Sequence, residues 1–188
     1  NVSSWEDYPL PIIHQSLFEE NFIQSQGDAN RLVIDSNVPI EFHNNLVINN
    51  VLSSSLGPGN AIIKLGANQD QSGSQGNSSI FNNTFYANSG TGLFLQATGG
   101  GEYVNVTNNI IWANNKGQNE SSDINKSSGT TVYVNNNIFE SDVSGGTLVD
   151  NINEAPKLRN PASGDYRLQG NSPAIDAGAD IGEVFDYR

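Results

Sequence analysis

Apolar residues along this chain recur in short clusters split by paired amides. The stretches "EFHNNLVINN" (41–50), "SIFNNTFYAN" (79–88), "NVTNNIIWAN" (105–114) and "YVNNNIFESD" (133–142) share one plan: an apolar residue, two adjacent asparagines, another apolar run. Asn is a poor strand former, so its repeated use inside apolar runs needs a structural reason. The apolar residue two positions before the pair is Phe42, Ile80, Val106 or Val134, with a degenerate copy at Ile13 in "IHQSLFEEN". Successive spacings are 29, 38, 26 and 28 residues, a constant motif with insertions of variable length, as in a solenoid.

Five positions after each of these lies a second apolar column: Phe18, Val47, Phe85, Ile111 and Phe139. In an uninterrupted strand, positions five apart face opposite sides of a sheet. Both columns are buried only if the chain turns a corner between them. Asn tolerates the left-handed backbone that a tight bend requires. The pair therefore marks a corner between two short strands, and stacked copies would let the amides hydrogen-bond along the axis.

A further strand follows at variable distance. Its copies are read at "RLVID" (31–35), "AIIKL" (61–65), "GLFLQ" (92–96) and "TLVDN" (147–151), with a faint one at "SDI" (122–124). Loops such as "SSSLGPGN" (53–60) and "GANQDQSGSQGNSS" (66–79) join these pieces. Each turn is expected to hold about three strands, one asparagine corner and one or two loops; no stretch sustains a helical pattern.

These repeats resemble, over residues 12–151, the right-handed parallel β-helix of pectate-lyase-like secreted bacterial proteins. The tail "GDYRLQGNSPAIDAG" (164–178) followed by "DIG" (180–182) looks like the segment that follows the last coil in such proteins. The expected fold is all-β: a right-handed parallel β-helix solenoid of about five coils over residues 1–154, with a C-terminal capping tail over 155–188. Tyr166, Leu168 and Ile175 suit that tail to covering an open end.

Composition narrows the partners. A formal net charge of −12 and only eight Lys and Arg make nucleic acid a poor partner, and an anionic membrane surface likewise. No apolar run reaches the length of a membrane span, so no membrane insertion is expected. Cysteine is absent, so redox compartment is not legible. The chain opens "NVSSWEDYPL", without a charged and then apolar leader, and is read as a processed or truncated chain. Six Asn-x-Ser/Thr triplets begin at Asn1, Asn77, Asn82, Asn105, Asn119 and Asn125; in so Asn-rich a chain they identify no source.

The resemblance implies action on, or binding of, polysaccharide at an outward sheet face. A lyase would need a Lys or Arg base and cations, and Arg31 and Lys64 fall on the third strand, expected outward beside Val33 and Ile62. Lys116 and Lys126 lie in a polar loop. A glycosidase would need two opposed carboxylates, for which Asp35, Glu102, Asp123 and Asp150 are candidates on one outward face. No dyad is recognisable, and no catalytic residue is assigned. His14 and His43 are expected to stack one coil apart, with no third ligand for a metal. No metal and no cofactor are expected. Phe94, between the inward Leu93 and Leu95, offers an aromatic surface for sugar with Gln96 beside it, whereas Trp112 is expected to pack under the 116–122 loop. The substrate-binding candidates are thus Arg31, Lys64, Phe94 and Gln96.

The leading reading is an extracellular or cell-surface structural or glycan-binding β-helix segment without a complete catalytic site. Two alternatives stand beside it. One is a polysaccharide lyase or glycoside hydrolase whose catalytic coils lie upstream. The other is a subunit that self-associates end to end into a fibre, because an uncovered solenoid end is an unpaired strand edge.

Overall fold

The computed structural model describes residues 11–23, 31–36, 39–52, 61–66, 76–96, 102–114, 123–141, 143 and 145–182. Within these, the side chains of Ile23, Arg31, Leu32, Val33, Asp35, Leu52, Leu65 and Gln96 lie outside the description.

The chain is a parallel β-helix. A first sheet stacks Ile12–His14, Glu41–His43, Ser78–Phe81, Tyr103–Thr107, Thr131–Asn135 and Thr147–Val149. A second stacks Leu17–Glu19, Leu46–Ile48, Thr84–Tyr86, Ile110–Trp112 and Ile138–Phe139. A third stacks Arg31–Ser36, Ala61–Gly66, Thr91–Gln96 and Ile124–Lys126. Pairing within all three is parallel. Strands this short cannot stand alone; each gains stability by stacking on its neighbours in the coils above and below.

Both apolar columns pile up as the sequence requires. In the first sheet Ile13 pairs with Phe42, Phe42 with Ile80, Ile80 with Val106 and Val106 with Val134. In the second, Phe18, Val47, Phe85, Ile111 and Phe139 pair in the same order. Phe42, Ile80, Val106, Val134, Val47, Phe85 and Ile111 are all 0 % exposed. The third sheet closes the core with Ile63, Leu93 and Ile124 in one register line. Burying each such side chain contributes on the order of 2 kcal/mol.

Three local expectations are corrected. First, Thr147–Val149 belongs to the first sheet, where Leu148 pairs with Val134, and not to the third. Asp150 then adopts φ 51° and Asn151 turns the corner, so a sixth coil begins before the tail. An apolar triplet fits either sheet, and its "DN" replaces the usual "NN". Second, Ile62 is buried rather than outward. Third, the second, third and fourth coils carry two asparagine corners each instead of one. The second is built by Asn21, Asn50, Asn88 and Asn114, five residues beyond the inner position of the first.

The tail forms an antiparallel hairpin of Leu158–Asn160 with Asp165–Leu168, closed by a 3-10 turn at Pro161–Ser163. Gly164, at φ 80°, is required there because L side chains strain that region. The tail then runs along the flank. Tyr166 packs edge-on against Tyr86 and its hydroxyl accepts from Asn49 Nδ2 at 3.4 Å, whereas Ile175 is exposed. At the end of the last coil, Leu148 and Val149 are exposed.

Candidate functional site

The two residues of each first corner divide the labour. Asn44, Asn82, Asn108 and Asn136 take the left-handed backbone (φ 53–59°). The next residue faces inward and builds a ladder: Asn45 N donates to Asn83 Oδ1 (2.9 Å), Asn83 N to Asn109 Oδ1 (3.0 Å), Asn109 N to Asn137 Oδ1 (2.8 Å) and Asn137 N to Asn151 Oδ1 (2.9 Å). Each Nδ2 donates to the same oxygen and back to a carbonyl one coil earlier, as Asn83 does to Phe42. Amides suit this position because one group accepts from the preceding coil while donating to two more acceptors.

The second ladder ends differently. Asn21, Asn50, Asn88 and Asn114 follow the same pattern, and the corresponding residue of the next coil, Asp142, lies outside the described residues. Asp123 lies beside the end of the described ladder. Its Oδ2 accepts from the backbone N–H of Glu140 (2.8 Å) and Ser141 (2.7 Å), and its carboxylate also bonds Asn114. Burial pushes this carboxyl up to about 6, against the backbone donors that favour its charged form.

That position settles one candidate carboxylate, and the others do not join it. Asp123 is 2 % exposed and faces inward. The backbone of Asp35 lies in the third sheet, Glu102 precedes a first-sheet strand, and Asp150 sits at a first corner. The expectation of one shared outward face is thus corrected. Spacing along the sequence could not show it, because loops of unequal length carry each carboxylate to a different side.

His14 and His43 stack as expected, with ring centroids 5.1 Å apart and planes within 4°. Phe81 continues the stack at 4.5 Å from His43. His43 is buried, between these rings and Asn44, whose Nδ2 lies 3.2 Å from its Nδ1. No group of three or more His, Asp or Glu among the described residues could hold a metal ion. No helix among them is long and apolar enough to cross a membrane.

Two outer faces remain. On the third sheet, Lys64 pairs with Asp35 on one side and Phe94 on the other, and Phe94 pairs with Asn125. Lys64, Phe94 and Asn125 are half-buried, while Leu93 and Leu95 fill the interior, so Phe94 does face outward. The Gln96 backbone pairs with Gly66 two residues on, and the Arg31 backbone pairs with Ala61 at the far end of the sheet. The structure therefore unites Lys64 with Phe94 and leaves Arg31 apart along the strands. Trp112 is half-buried beside Tyr86 in the second sheet; Lys116 and the rest of its loop lie outside the described residues, whereas Lys126 lies against Gly145.

The other face is a groove of about 1040 Å³ between the tail and the first corner. Its floor is Leu46, Thr84, Ile110 and Ile138; one wall is the outward Asn44, Asn82, Asn108 and Asn136, and the other is Ser163–Leu168. The sequence carried a signal for it. Second-sheet strands read "LVI", "TFY" and "IIW", without the alternation of a half-exposed strand, so both faces are covered. No protein-family profile, curated protein or solved structure matches the chain.

Proposed function

We propose that the chain is an extracellular parallel β-helix that binds glycan on the outer face of its third sheet, without a complete catalytic site of its own. The supporting observation is the Asp35–Lys64–Phe94–Asn125 register line. It places an aromatic ring between an ammonium and a carboxamide on adjacent strands, about 4.8 Å apart. A sugar ring stacks its C–H face on such a ring while its hydroxyls meet the polar neighbours. Neutral and acidic glycans both suit an ammonium and an amide.

Glycan-array binding followed by affinity electrophoresis tests this reading. Phe94→Ala is expected to weaken binding about tenfold with little change in melting temperature. Binding that survives Phe94→Ala contradicts it. Formation of unsaturated or reducing-end products from the bound glycan, lost in Lys64→Ala, favours the polysaccharide lyase or hydrolase reading instead.

A second reading, end-to-end self-association, draws on exposed apolar residues near both ends of the described column: Ile12, Leu17 and Phe22 at one, Leu148 and Val149 at the other. Light scattering at rising concentration tests it; a strict monomer removes it.

A further inference from the structure

Asparagine has three tasks in this fold: it bends the first corner, bonds the inner ladders and holds the tail. Asn105 performs none of them. It stands in the middle of Tyr103–Thr107, between the buried Val104 and Val106, so its carboxamide points outward from the first sheet. Asn is a poor strand former, yet this one is half-buried and forms no hydrogen bond with the described residues. An acceptor oxygen and two N–H donors are thus held at a fixed place on a rigid sheet, with no partner for them among those residues.

Its surroundings are aromatic and uncharged. Asn105 pairs with Tyr133 on the strand of the next coil and with Ser79 on that of the previous one. Tyr133 is 38 % exposed. Tyr103, two residues before Asn105 on its own strand, meets Tyr133 edge to face, with ring centroids 5.4 Å apart and planes at 77°. Such a pair covers one face of one ring only. Thr131, beside Tyr103, is exposed. Among the described residues, the acidic and basic side chains of this outer face are Glu41, His43 and His14, which lie two and three coils away toward the start of the column.

We propose that Tyr103, Asn105 and Tyr133 form a second glycan site, for a neutral oligosaccharide lying on the outer face of the first sheet. It repeats the aromatic–carboxamide pairing of Phe94 with Asn125 but has no ammonium beside it, and it does not depend on the third-sheet site. A sugar ring sets its C–H face on the exposed tyrosine. One of its hydroxyls donates to Asn105 Oδ1 and another accepts from Nδ2. The chemistry of the face disfavours other occupants. A peptide strand adds to a sheet through main-chain groups at an edge, whereas Tyr103–Thr107 has a paired strand on each side. A polyanion meets no cation here, on a chain of net charge −12. An apolar surface would bury the Asn105 carboxamide without a partner.

The probes are cellohexaose and xylohexaose, both neutral, and oligogalacturonate, a polyanion, each added to the ¹⁵N-labelled protein. At least one neutral sugar is expected to shift the Asn105 side-chain NH₂ signals with a dissociation constant on the order of 1 mM. Oligogalacturonate leaves those signals in place. Tyr133→Thr, which removes the ring and keeps a good strand former, weakens binding about fivefold. Asn105→Val, followed at the Ser79 backbone amide, weakens it by a similar factor without lowering the melting temperature. Phe94→Ala leaves the affinity at Asn105 unchanged, so the two glycan sites fail separately. The proposal is overturned by the absence of an Asn105 shift at about 10 mM of either neutral sugar, or by an equal shift with oligogalacturonate. Affinity that falls in Phe94→Ala and survives Tyr133→Thr overturns it too, by placing all binding on the third sheet. So does a lower melting temperature with unchanged affinity in Asn105→Val, which would make Asn105 a structural residue.

Discussion

The first and second corners of the first four coils have the same left-handed backbone and different residues. At the first, the left-handed position is Asn in four successive coils; at the second it is Glu20, Asn49, Ala87 and Ala113. The inner position is nearly invariant at both: Asn45, Asn83, Asn109, Asn137 and Asn151 at one, Asn21, Asn50, Asn88 and Asn114 at the other. Bending therefore does not demand asparagine, since alanine bends too, at about 1 kcal/mol of strain. The inner hydrogen bonds demand it. The extra asparagines at the first corner face the groove and the tail, where Asn108 and Asn136 bind main chain.

The largest expected effect breaks the inner ladder. Asn109→Ala leaves Asn83 N–H, Asn83 Nδ2 and Ile80 O without their partner inside the column. A loss of roughly 3–4 kcal/mol in urea unfolding is expected. Asn88→Ala, in the second ladder, is expected to cost about as much.

Asp123 comes next and separates the two ladders by pH. Its carboxyl titrates near 6 in the folded chain and near 3.8 when unfolded, because burial disfavours its charge. Between these values the folded state holds the extra proton. Its stabilising effect is complete below about pH 4, is lost as pH rises to about 6, and changes no further above that, a total of roughly 3 kcal/mol. Urea midpoints compared with those of Asp123→Asn at each pH measure this slope, because the variant lacks the titration. A difference that stays constant from pH 4 to 7 contradicts the assignment.

The smallest effect sharpens the comparison at the bend. Ala113→Asn should stabilise by about 0.5 kcal/mol, by relieving left-handed strain at a half-buried position. That is about 1–2 °C in a thermal melt. A loss of stability there would mean that Ala113 is chosen for packing.

The column itself was readable because two apolar series sit five residues apart with a doubled amide between them, a pattern only a corner satisfies. The second corner was readable in principle, as Asn recurs five residues beyond Asn45, Asn83 and Asn109, but without a doubled amide at Ala87 and Ala113 it carried a weaker mark. The role of Asp123 was not readable. Its carboxylate accepts from the backbone N–H groups of Glu140 and Ser141 in the following coil, and no repeat spacing in the sequence announces that contact. The tail's course was half-written in the unalternated triplets of the second sheet, which say that something covers them without saying what. On the third sheet, Lys64 and Phe94 came together because strand register follows the repeat, while the bulge between Arg31 and Ile34 shifts the register at that end of the sheet.

The most direct test sets neighbouring residues of one corner against each other. Urea unfolding of Asn82→Gly and Asn83→Ala, side by side at neutral pH, separates bending from bonding. We expect the first to stay within about 0.5 kcal/mol of the parent and the second to lose roughly 3 kcal/mol or more. Equal losses in the two variants, or a larger one at Asn82, would contradict an inner ladder as the element that holds the coils together.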